Sequence, residues 1–60
     1  MNYFSKAKAA AKKTILKTGD VSAAHSVAIK VIRDMVPNKP EAFYGGMGWQ
    51  TVLAARADIN

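Results

Sequence analysis

Between Tyr3 and Lys17 the apolar and small residues recur at helical spacing. At about 100° per residue, Phe4, Ala7, Ala11 and Ile15 share one stripe, with Tyr3 and Thr14 beside it. Alanine and lysine favour helix over the same stretch, which predicts a first helix at 3–17. Lys6, Lys13 and Lys17 fall on the opposite face, while Lys8 and Lys12 flank the stripe. Gly19 follows where a left-handed residue would end the helix.

Asp20 has the chemistry of an N-cap for a second helix at 21–36. Its stripe of Val21, Ala24, Ala28, Ile32 and Met35 is widened by Val27, Ile29, Val31 and Val36. That arc exceeds what one neighbour covers, so this helix is expected at the centre of the fold. A strand at "VAIKVI" is the rival, but its flanks "SAAHS" and "RDM" are not strand-like.

Pro37 opens a Pro/Gly connector at 37–47, in which "PEAFY" forms at most one turn before Gly45 or Gly46 ends it. Gly48 then admits a third helix at 48–58 that presents Trp49, Val52, Leu53 and Arg56 on one face. The expected fold is all-α and a single domain over 1–60. It is a small three-helix bundle, or a helical hairpin plus a C-terminal helix. Phe4, Ile15, Val21, Ala28, Ile32, Met35, Trp49, Val52 and Leu53 are expected in its core.

Size and composition then limit the stability of such a bundle. Sixty residues lie near the lower limit for independent folding, with about 3,800 Å² exposed once folded. There is no cysteine, so no disulfide restricts the unfolded chain. Stabilisation by oligomerisation or by a partner is therefore expected. No run of apolar residues reaches membrane-spanning length, and lysines interrupt any signal-like segment, so a cytoplasmic or virion-internal location is the expectation. Small basic cysteine-free helical chains are common among accessory proteins of phages and mobile elements, an association of composition that carries no mechanism.

Charge concentrates attention on the first helix. The net charge is +5, and residues 1–17 hold five lysines and no acid. Beyond them Lys30, Arg33, Lys39 and Arg56 balance Asp20, Asp34, Glu41 and Asp58. Lys6, Lys12, Lys13 and Lys17 are thus the candidates for contact with a nucleic-acid backbone or an acidic partner surface. Lysine without arginine suits sequence-independent contact better than base readout.

The stretch "FYGGMGW" raises a second possibility. A phosphate-cradling loop would open its helix with a lysine beside serine or threonine, whereas Trp49, Gln50 and Thr51 follow here. Aromatic, methionine and glycine residues instead suit a protein interface carried by Phe43, Tyr44, Met47 and Trp49. A cationic helix bearing Tyr3 and Phe4 could lie on a membrane, but its stripe is mostly alanine.

Catalysis has little to work with. Asp20, Ser22 and His25 sit on one short helix and cannot converge as a triad, and the acids form no pair or metal-ligating group. No catalytic residue, metal, cofactor or small-molecule substrate is expected. The functional expectation is a non-enzymatic basic helical binding module that docks on a larger macromolecule and modulates or supports it. A protein partner or self-association comes first, a DNA or RNA backbone is the alternative, and membrane activity ranks third.

Overall fold

A computed structural model describes residues 2–60 and contains three helices: α1 (Tyr3–Thr18), α2 (Val21–Met35) and α3 (Glu41–Ile59). There is no strand among the described residues. All three helices pack against one another in a bundle. Its accessible surface of 3843 Å² matches the value of about 3,800 Å² expected for a folded monomer of this size.

The helix ends follow local chemistry. Asn2 accepts a hydrogen bond from the Ser5 N–H at 2.8 Å and caps α1. Gly19 adopts φ 71° and sends its N–H to the Ile15 carbonyl oxygen, closing α1 in the left-handed conformation that glycine reaches at least cost. Asp20 immediately caps α2 by accepting from the Ala23 N–H at 3.1 Å. The α1–α2 connection is therefore only two residues long.

Alanine dominates the interior. Ala7 and Ala11 of α1, Ala24 and Ala28 of α2, and Ala55 of α3 are fully buried, around the larger Ile32, Val52 and Thr51. Small side chains let the helix backbones approach closely. The Thr51 hydroxyl, buried with them, donates to the Gly48 carbonyl oxygen at 2.7 Å, so it adds no unpaired polar group. Phe4, Ile15 and Val21, expected in the core, are half-buried at its margin.

The third helix departs most from expectation. It begins at Glu41 rather than 48, so the connector shrinks to 36–40 and "FYGGMGW" is helix interior, not a loop. Its core-facing row is Tyr44, Gly48, Thr51, Val52 and Ala55. That row places Trp49 and Leu53 on the far side, exposed by 45% and 55%, although both were expected inside. Met35 is also exposed, because α2 ends there and the chain turns away.

The short connector is held from both sides. Asn38 takes a positive φ of 68°, a conformation asparagine tolerates. The Tyr44 hydroxyl donates to the Val36 carbonyl oxygen and accepts from the Lys39 N–H at 3.2 Å. Arg33 of α2 pairs with Glu41 of α3 at 2.6 Å, and its guanidinium lies 4.9 Å above the Tyr44 ring. These contacts at one end, and His25 against Trp49 at the other, make α2 and α3 antiparallel neighbours.

Candidate functional site

Three glycines within about one helical turn give α3 two very different faces. Gly48 points inward at the closest approach of α2 and α3. A Cβ there would sit 2.9 Å from Ile29 Cγ1 and 3.0 Å from His25 Cδ2, so only glycine fits without displacement. At Gly45 and Gly46 an added Cβ would meet nothing within 4 Å. Each of these two glycines weakens the helix by about 1 kcal/mol relative to alanine, and nothing within the bundle requires them.

His25 fixes the position of the tryptophan. Its Nε2 lies 3.0 Å from the Gly45 carbonyl oxygen, which can only accept, so the proton of this contact resides on Nε2. The imidazole stacks on the Trp49 indole with centroids 4.1 Å apart and planes 17° apart. One face of Trp49 is thereby braced by α2 while almost half of the residue stays open to solvent.

The outward face of α3 carries Ala42, Gly46, Trp49, Leu53 and Arg56, spaced by four, three, four and three residues. This spacing keeps all five on one stripe of a helix, as the seam positions of a coiled coil do. Trp49 and Leu53 project from the stripe, and Gly46 with Gly45 and Ala42 forms the low ground beside them. Nothing in the described chain covers it.

The residues expected at a protein interface do not stay together. Trp49 lies on this stripe. Tyr44 is only 3% exposed and belongs to the core. Phe43 is half-buried on the α1 side, with Tyr3 at 6.2 Å and Lys39 at 5.7 Å from its ring, and Met47 is half-buried against the core. Leu53, Ala42 and Gly46 complete the stripe that the sequence reading missed. Their spacing was visible, but glycines read as helix breakers concealed it.

The lysines also divide. Lys6, Lys13 and Lys17 form an exposed line along α1, and none of them is in either ion pair found among the described residues. Lys8 pairs with Asp58 of α3 at 2.8 Å. With Ser5, Ala9 and Lys12 these two line a shallow depression between α1 and α3. The hydrogen bond from Lys8 holds the Asp58 carboxyl below its ordinary value, with smaller contributions from the charges of Lys8 and Lys12. Lys12 is thus half-buried beside an acid and stands apart from the exposed line.

The Asp20, Ser22 and His25 side chains serve separate surroundings. The Asp20 carboxylate caps α2, Ser22 is exposed, and His25 Nε2 is directed at Gly45. No group of acids, cysteines and histidines able to hold a metal ion occurs among the described residues. No described helix is long and apolar enough to cross a membrane. Comparison with family models, with curated proteins and with solved structures yielded no match.

Proposed function

We propose that this chain is a non-enzymatic binding module that associates with protein through the outer stripe of α3. The observation that carries the reading is the pairing of a braced, half-open Trp49 with exposed Leu53 on one helix face. A rigid aromatic anchor beside an aliphatic one is the composition of an interface hot spot, and Gly45 and Gly46 allow a partner's backbone to come close. The module would support or modulate whatever larger assembly it joins.

A second reading is favoured by a different observation, the unpaired line of Lys6, Lys13 and Lys17. That line suits contact with a nucleic-acid backbone, or with an acidic protein surface. A photo-activatable residue placed at position 53 or at position 13, in the cell that makes the chain, separates the two. The expected result is protein adducts from position 53. Nucleic-acid adducts from position 13, with none from 53, would replace the first reading by the second.

A further inference from the structure

We infer that α1 enters the major groove of double-stranded DNA, with lysines on both flanks of the helix reaching the two backbones and Asp58 of α3 holding one flank back. The inference deepens the nucleic-acid reading of the lysine line and rests on it. It is independent of what meets the outer stripe of α3.

The exposed face of α1 is a strip with cations on either side. Ser5, Ala9 and Leu16 are exposed, and at about 100° per residue they fall within about 40° of one another. Lys6, Lys13 and Lys17 lie about 80° to one side of that strip, and Lys8 and Lys12 about 60° to the other. On a helix about 10–12 Å across, the two rows stand roughly 10 Å apart. The major groove of B-DNA is about 12 Å wide, admits an α-helix and has a backbone along each wall. Leu16, 65% exposed, and Ala9 then meet thymine methyls, the apolar groups of that groove.

This charge pattern does not serve the helix itself. α1 has no acid in its first turn, where the helix dipole favours one. Lys8 with Lys12, and Lys13 with Lys17, set like charges one turn apart. An anion along each flank relieves both. Among polyanions the geometry selects duplex DNA. Duplex RNA has a deep, narrow major groove that does not admit a helix. A single strand offers one backbone in place of two, and the exposed strip has no aromatic ring on which its bases could stack.

The flanks are unequal. Lys6, Lys13 and Lys17 are exposed and outside both ion pairs found among the described residues. Lys8 instead pairs with Asp58 at 2.8 Å, and the charge of Lys12 acts on the same carboxylate. An anion at that wall repels the phosphates Lys8 and Lys12 would take. The parent chain therefore holds one strand with three lysines and the other weakly, and removing the Asp58 charge completes the second wall.

Salt titration of binding to a DNA duplex tests that wall. The parent slope of about −3 should steepen toward about −4.5 in Asp58→Asn, with affinity raised about tenfold at low salt. Glu41→Gln changes the net charge equally, at a pair between α2 and α3, and should leave the slope unchanged. Both variants should keep the parent's helical spectrum. Dimethyl sulfate tests the groove: the bound chain should protect guanine N7, a major-groove atom, and leave adenine N3 in the minor groove reactive. Duplex RNA of the same sequence and single-stranded DNA should bind about tenfold more weakly. An unchanged slope in Asp58→Asn, protection of adenine N3 without guanine N7, or equal affinity for duplex RNA would overturn the inference. A parent slope near −3 would then leave plain backbone contact standing. No binding to duplex DNA even at low salt would remove both, and an acidic protein surface would become the partner of α1.

Discussion

Replacing Gly45, Gly46 and Gly48 one at a time by alanine puts opposite demands on three neighbouring positions. At Gly45 and Gly46 an added Cβ has free space, so the helix-propensity gain of about 1 kcal/mol is felt in full. For a domain of this size that raises the melting temperature by about 4–8 °C. At Gly48 the same gain is opposed by overpacking. The Cβ would stand 2.9 Å from Ile29 Cγ1, next to the branch point of a β-branched α2 side chain, and 3.0 Å from a His25 ring fixed by Trp49 and Gly45. Overpacking of this kind costs about 1–3 kcal/mol, so Gly48→Ala is expected to be net destabilising by up to about 2 kcal/mol. Thermal melts followed by circular dichroism would measure all three. If Gly48→Ala melts as high as Gly46→Ala, the close α2–α3 approach is wrong. If Gly45→Ala or Gly46→Ala melts lower than the parent chain, those glycines occupy a non-helical turn and α3 does not begin at Glu41.

Three further outcomes follow from separate parts of the bundle. Tyr44→Phe should destabilise by about 1–2 kcal/mol, because the Val36 carbonyl and the Lys39 N–H both lose their partner, and chemical denaturation would show it as a lower midpoint. Changing Lys6, Lys13 and Lys17 together to glutamate should remove any binding to a generic DNA duplex and keep helicity. In the parent chain three phosphate contacts would give a log–log salt slope of about −3, and a salt-independent affinity would dismiss backbone contact. The Asp58 carboxyl is held below its ordinary value of 3.8, so its contribution is complete above that pH and declines as pH falls below it toward the folded value. Asp58→Asn should therefore melt with less dependence on pH across that acid range than the parent chain, and equal dependence would count against the Lys8–Asp58 pair.

The parts of the fold that could be read in the sequence are those decided locally. Gly19 and Asp20 end and begin helices through contacts within four residues of themselves, and both do so in the structure. The stripes of α1 and α2 were legible for the same reason, since alanine and lysine at helical period permit little else. The start of α3 was not. Gly45, Gly46 and Gly48 argue locally for a turn, and what overrides them lies outside the glycine stretch, in Ile29 and His25 of α2 closing on Gly48 and in Val36 receiving the Tyr44 hydroxyl. Trp49 reads as interior from its size and from the face it shares with Val52 and Leu53. In a bundle whose helices meet through alanine there is no space of that size, and the indole goes to the surface with His25 as its support.

An interior made of alanine has a consequence for how the helices find their alignment. A methyl group has no rotamer to select and little relief to interlock, so the alanine surfaces the three helices offer one another are close to smooth. Sliding by one turn exchanges one methyl for the next. The few shaped contacts must therefore act as detents: Gly48 seated against Ile29 and His25, and Tyr44 latched to the 36–40 connector. Disabling both at once should release the alignment before it melts the helices. Such a chain would keep its far-ultraviolet spectrum and lose the fixed environment of Trp49, an ordered secondary structure without a single way of stacking it.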